Sequence, residues 1–109
     1  MLVKCEVCGL IHEVDEMGEK CPKCGAPKEK FVPLTQEEAD KVTRSQKTND
    51  LHADLIHLMV KLEKIADCGI EDNLDPGCVK IFKEAKQVAA MFKRKSMAEI
   101  AGHASKGKW

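Results

Sequence analysis

Cys5, Cys8, Cys21 and Cys24 are the residues of this chain whose type and spacing point most directly to chemistry. They form Cys5-Glu6-Val7-Cys8-Gly9 and Cys21-Pro22-Lys23-Cys24-Gly25, two CxxCG knuckles within the first quarter of the sequence. Two intervening residues let both sulfurs of a knuckle reach one ion. A pair of such knuckles completes a tetrahedral shell of four thiolates, which suits Zn²⁺ or iron. The residue after the second cysteine of a knuckle often needs positive φ, and glycine adopts it at little steric cost. That turn aims backbone N–H groups at the sulfurs and spreads their negative charge. A disulfide framework is the competing reading. The metal-type spacing opposes it, as does the lack of a signal-peptide core after Met1-Leu2-Val3-Lys4.

The elements that must position these thiols follow from the pattern around them. Residues 1–34 read as short strands and knuckles around a metal, a metal-binding domain too small to fold on apolar burial alone. Val32-Pro33-Leu34 is the joint. Residues 35–109 read as a helical hairpin domain. Thr35-Gln36-Glu37-Glu38 is a capping box. The first long helix is predicted from about Gln36 to Cys68, stopped by Gly69 in a left-handed C′ position. Leu51, Leu55, Leu58, Leu62 and Ile65 recur at three- and four-residue steps as one apolar stripe, widened by Ile56, Met59 and Ala66. Asp75 and Pro76 are an N-cap and first-turn residue for a second long helix, predicted to run to about Ala104. Its apolar face is Val79, Phe82, Ala85, Val88, Ala89 and Phe92. Ser96-Met97-Ala98-Glu99 is a second capping box where that helix could kink. A hairpin buries one side of each stripe, so the widened faces predict a homodimer that forms a four-helix bundle. The alternative is a ribbon folded back over a monomeric hairpin.

The first segment also carries a family resemblance. Lys4-Cys5-Glu6-Val7-Cys8-Gly9, followed by the CPKCGAPKEKF run from Cys21 to Phe31, resembles the rubredoxin-like domain of rubrerythrins over about residues 3–34. The resemblance implies one iron ion ligated by Cys5, Cys8, Cys21 and Cys24 and cycling between ferrous and ferric states. The whole chain is similar to small rubredoxin-like proteins in which such a ribbon precedes a helical segment ending in KGKW. Rubredoxins build their core on several aromatics, whereas this chain has Leu10-Ile11-His12-Glu13-Val14 after the first knuckle and no tyrosine.

Composition narrows the function classes. Lys and Arg number 18, as do Asp and Glu, so the net charge is zero and a dedicated nucleic-acid binder is disfavoured. No window is apolar enough to span a membrane, and a cytoplasmic protein with reduced thiols is expected.

Other residues of the chain also have side chains capable of chemistry. Rubrerythrins add a di-iron centre built on glutamates and Glu-x-x-His pairs, and no Glu here precedes a His by three residues. Asp54-Leu55-Ile56-His57 is the nearest approximation. His52 and His57 do not converge on a helix, and His103 is expected near Thr48, Asn49 or His52. Ordinary hydrogen bonding is the expectation for all three, over a second metal site. The polar stretch Thr43–Asp50 reads as a solvated lever, or as the lining of a polar dimer cleft. Cys68 and Cys78 read as buried, reduced thiols, with a redox disulfide as the alternative. The basic tail with Lys93, Arg94, Lys95, Lys106 and Lys108 reads as macrodipole stabilisation, with docking of an acidic partner as the alternative.

These readings converge on an electron-transfer protein with a mononuclear Fe(Cys)₄ centre. It would not be an enzyme by itself. It would be served by a redox protein partner and have no nucleic-acid or membrane partner. A structural zinc ribbon joined to a helical interaction module is the alternative, because both metals accept four thiolates. A rubrerythrin-like peroxide reductase with an unusual metal site in a dimer cleft is a third option.

Overall fold

The computed structural model describes all 109 residues. In chain order it contains β1 (Leu2–Cys5), β2 (Ile11–Glu13), a one-turn helix α1 (Val14–Met17), a 3-10 turn (Lys28–Lys30), β3 (Phe31–Pro33), α2 (Gln36–Asp72) and α3 (Pro76–Ser105). Two compact units emerge, residues 1–43 and residues 44–109, and α2 runs through the boundary.

The first unit is a three-stranded antiparallel sheet in the order β2-β1-β3. Leu2 pairs with Glu13, and Cys5 pairs with Phe31. In β1 the strand alternation buries Val3 and Cys5 while Lys4 faces water. An isolated bridge between Lys20 and Pro27 closes the second knuckle. The core consists of Val3, Cys5, Met17, Cys21 and Ala26, with Cys8, Leu10, Val14 and Phe31 packed against it. Cysteines therefore occupy the places where a larger domain would put leucines. Val32 and Pro33, expected as the joint, are part of β3.

In the second unit α2 and α3 form an antiparallel hairpin. At 1.5 Å per residue, the 37 residues of α2 extend about 55 Å and the 30 of α3 about 45 Å. The capping box forms as expected: Glu38 N–H donates to Thr35 Oγ1 at 3.2 Å, and Thr35 N–H donates to Glu38 Oε2 at 2.8 Å. At α3 the Cys78 N–H donates to Asp75 Oδ1 at 2.7 Å, with Pro76 in the first turn. α3 continues through Ser96 without a break.

One boundary differs from the sequence expectation. Gly69 does not stop α2, which continues to Asp72, and the left-handed residue is Asn73 with φ 49°. Gly69 serves packing instead. A Cβ at this position would stand 2.2 Å from Cδ2 of Phe82, so the phenyl ring lies directly on the α2 backbone. Close approach and chain reversal both favour glycine, and the sequence pattern alone does not separate them.

The hairpin seam is lined by small and polar residues more than by the leucine stripe. Asn49, Ala66, Ala89 and Ser96 are buried. Leu51, Leu58 and Ile65, which belong to the predicted stripe, are each more than half exposed. Val88 and Phe92, assigned to the apolar face of the second helix, are about half exposed. Two ion pairs also bridge the helices, Lys86–Asp67 at 2.6 Å and Lys93–Glu63 at 3.1 Å.

Candidate metal centre

The two knuckles are built alike. Gly9 N–H donates to Cys5 O at 2.8 Å, and Gly25 N–H donates to Cys21 O at 2.8 Å. Cys5 N–H then donates to Leu10 O at 2.9 Å, and Cys21 N–H to Ala26 O at 2.8 Å. Gly9 and Gly25 have φ of 79° and 78°, as the CxxCG pattern predicts. A Cβ at either glycine would meet nothing within 4 Å, so backbone conformation, and not crowding, selects glycine there. β1 delivers Cys5 from the sheet, and the first knuckle turns Cys8 back toward it. The Lys20–Pro27 bridge holds the second knuckle.

These turns gather the four sulfurs within 4.8 Å of one another. Cys5 Sγ lies 3.7 Å from Cys24 Sγ, and Cys8 Sγ lies 3.6 Å from Cys21 Sγ, so the close contacts run between knuckles. A metal–sulfur bond of ~2.3 Å implies a tetrahedral edge of ~3.8 Å, so the two close edges already have the dimension of a metal–thiolate shell. The donor set is all sulfur, which fits zinc or iron and disfavours hard cations such as Mg²⁺ or Ca²⁺.

Electrostatics around the sulfurs agree with that role. Backbone N–H groups of Cys8 and Val7 hold the Cys5 thiol below its ordinary value, against the opposing effect of desolvation. The equivalent N–H groups of Cys24 and Lys23 bring Cys21 down to about 6, again against desolvation. At Cys24 the Ala26 N–H also lowers the pKa. Desolvation and the sulfurs of Cys8, Cys21 and Cys5 outweigh it and push the thiol up to about 12. The cluster thus favours the first thiolates and resists the last. A bound cation removes that resistance, because it compensates the accumulated negative charge. Cys5 and Cys21 are buried, Cys8 is half-buried and Cys24 is exposed, so the second cysteine of each knuckle faces solvent.

The remaining candidates belong to the helical unit. His103 Nδ1 contacts Asn49 Oδ1 at 2.6 Å, His52 Nδ1 contacts Ser96 Oγ at 3.1 Å, and the two imidazoles lie 6.3 Å apart. The expected placement of His103 near Asn49 and His52 is observed. His57 is exposed. The solvated-lever reading of Thr43–Asp50 fails at two positions. Ser45 and Asn49 are buried, and both donate to the Lys108 carbonyl at 2.7 Å. The signal missed was Gly107, whose φ of 73° ends α3. Lys108 N–H returns to His103 O at 2.8 Å and Gly107 N–H to Ala104 O at 3.4 Å, a Schellman closure that presents the Lys108 carbonyl to α2. Cys68 and Cys78 are free thiols, but Cys68 is exposed where a buried thiol was expected. Asp75 accepts from the Cys78 thiol and pushes its pKa up, which makes it a poor nucleophile. In the basic tail, Lys93 pairs with Glu63 and Lys95 sits over the Phe92 ring at 5.3 Å.

Comparison with known proteins agrees with the geometry. Residues 4–32 match the family model of the rubrerythrin rubredoxin-like domain. Over 34 residues the chain is 53% identical to reverse rubrerythrin-1 of Clostridium acetobutylicum, a match covering 31% of this chain and 19% of that protein. The chain thus spans about a fifth of that relative's length. No solved structure matches. The similarity is confined to the segment that carries the four cysteines, and the helical hairpin lies outside the matched region.

Proposed function

We propose that this chain is an electron-transfer protein whose Cys5, Cys8, Cys21 and Cys24 hold one iron ion. When bound, iron supplies a one-electron ferrous/ferric couple. The observation that carries the reading is the closed sulfur shell within a segment of rubredoxin-like sequence. The four thiolates fill a tetrahedral set and leave no coordination position for a substrate. The backbone N–H groups of Val7, Cys8, Lys23, Cys24 and Ala26 disperse charge on the sulfurs and tune the potential. Exposed Cys24 and half-buried Cys8 offer the shortest route for an electron to leave, and the exposed Val7 beside them offers apolar contact to a docking partner.

In this reading residues 1–34 are the metal-binding domain and residues 35–109 the helical domain. The chain is not an enzyme by itself. It exchanges electrons with a cytoplasmic redox protein and self-associates as a homodimer through its helices. No helix is long and apolar enough to cross a membrane. A structural zinc ribbon with a helical adaptor is the second reading, supported by the apolar side chains exposed on the hairpin.

Visible absorption and metal analysis of protein purified anaerobically from iron-replete cells test the choice. Electron transfer requires about one iron per chain, a red oxidised form and bleaching by dithionite. Stoichiometric zinc in colourless protein would favour the adaptor.

A further inference from the structure

Each long helix carries two rows of side chains at alternating four- and three-residue steps, and the hairpin covers one of them more fully than the other. On α2 the row facing α3 includes His52, Ile56, Met59, Glu63 and Ala66, all buried or half-buried. The second row is Leu51, Leu55, Leu58, Leu62 and Ile65, each one residue before a member of the first. On α3 the facing row includes Phe82, Ala89, Lys93 and Ser96. The residues one position before them are Ile81, Val88, Phe92 and Lys95. A one-residue step is a rotation of about 100° around a helix. In an antiparallel pair the same rotation on both helices turns both second rows to the same side of the hairpin. One position after the facing rows stand His57, Lys64 and Asp67 on α2 and Lys83, Gln87 and Arg94 on α3, with Val60, Ala90 and Met97 among them. The hairpin therefore has one mixed side that bears the charges and one apolar side.

The apolar side is open. Leu51, Leu58, Ile65, Ile81, Val88, Phe92 and the adjacent Met91 are between 47% and 64% exposed. At on the order of 100 Å² each, these seven side chains present about 700 Å². That approaches the ~800 Å² per partner buried in a standard stable complex and exceeds the apolar patch a monomer usually shows.

We infer that this side of the hairpin binds a second copy of the chain, with the second rows of two hairpins closing a four-helix bundle. The inference rests on the self-association proposed above and is independent of the metal. Three features select a copy over another partner. The α2 row has the four-three spacing that knobs-into-holes packing needs, and Ala85 completes the same spacing from Ile81 through Val88 to Phe92 on α3, so the surface can pair with itself under a two-fold axis. No charge interrupts the rows from Leu51 to Ile65 or from Ile81 to Phe92, whereas a redox partner is steered by charge. The exposed apolar area approaches that of a standard-size dimer interface. No carboxylate or imidazole belongs to the two rows themselves, so closing the bundle adds apolar contact and not a metal shell. Phe82 belongs to the contact within one chain through Gly69, and not to this interface.

Light scattering of the full chain tests the inference, with circular dichroism run on the same samples. The wild type is expected at twice the chain mass of 12.1 kDa. Leu58→Glu and Val88→Glu should each fall to one chain mass while keeping the helical signal, because both side chains are about half exposed or more within a single chain. Leu58→Ala, a milder change, should raise the dimer dissociation constant at least tenfold. Lys64→Glu on the mixed side should leave the dimer intact. A wild-type monomer throughout the micromolar range would overturn self-association itself. A dimer that persists unchanged in Leu58→Glu, Val88→Glu and Leu58→Ala would overturn this interface and leave self-association through another face standing.

Discussion

At the scale of single residues, the candidate metal centre rests on four sulfurs and two glycines. Each thiolate supplies one quarter of the shell, and metal binding is coupled to folding of the segment that carries it. Cys21→Ser is therefore expected to lose most of its metal on desalting and to unfold the ribbon. Full metal occupancy in this variant would remove Cys21 from the ligand set. The glycines act differently. Gly25→Ala meets no neighbouring atom, so its only penalty is the positive φ, roughly 1–2 kcal/mol. Metal should remain bound, but with a lower unfolding midpoint. A variant as stable as wild type would show that this turn tolerates a Cβ.

The elements are held by contacts that helix propensity does not report. Ala exceeds Gly as a helix former by about 1 kcal/mol, so an isolated α2 would gain from Gly69→Ala. The folded hairpin should instead lose about 1–3 kcal/mol, because the new methyl collides with the Phe82 ring. Phe82→Leu in the same chain should recover part of that loss. Urea denaturation of the two single variants and the double variant measures the coupling, and a stabilised Gly69→Ala would disprove the close approach. The start of α3 adds a pH dependence. The Asp75 carboxylate accepts from the Cys78 N–H and then from the Cys78 thiol, and its pKa is lowered from 3.8. A lowered carboxylate stabilises the fold above its unfolded pKa, and that contribution is lost as pH falls through the folded value. The protection of the Cys78 and Val79 amides, measured as exchange relative to the intrinsic rate at each pH, should therefore fall below about pH 4. Asp75→Asn keeps a capping oxygen and removes the titration, so it should flatten this profile. An unchanged profile would show that the carboxylate does not govern the cap.

For the whole molecule, the two compact units have different sources of stability. The ribbon is organised around sulfurs, while the hairpin has its own buried seam. Removing the metal with a strong chelator should abolish dispersed amide signals from residues 1–34 and leave most helical circular dichroism in place. Simultaneous collapse of both signals would show that the units fold as one. The electron-transfer reading carries a further expectation. The purified chain should not turn over hydrogen peroxide, because a saturated thiolate shell offers no open position. It should be reduced by a flavoprotein reductase at a rate that changes with ionic strength. Rapid peroxide turnover that survives changes at the cysteines and vanishes on changing His52 or His103 would place catalysis in the hairpin.

The sequence by itself determined the metal-centre candidates, because ligand spacing and positive-φ glycine are local properties of short segments. It also determined the capping box at Thr35, the Asp75–Pro76 start of α3 and the existence of two long helices, all set by residues within a turn or two of each other. Tertiary structure decided which face of each helix meets its neighbour. The leucine row from Leu51 to Ile65 is the stronger periodic signal, yet the seam runs one residue away through His52, Ile56, Met59, Glu63 and Ala66. Periodicity measures how apolar a row is, and it does not record which row finds a partner within the same chain. The role of Gly69 likewise depended on Phe82, thirteen residues away, and the burial of Ser45 and Asn49 on the Lys108 carbonyl at the far end of the chain. Such contacts join residues distant in sequence, and only the fold brings them within reach.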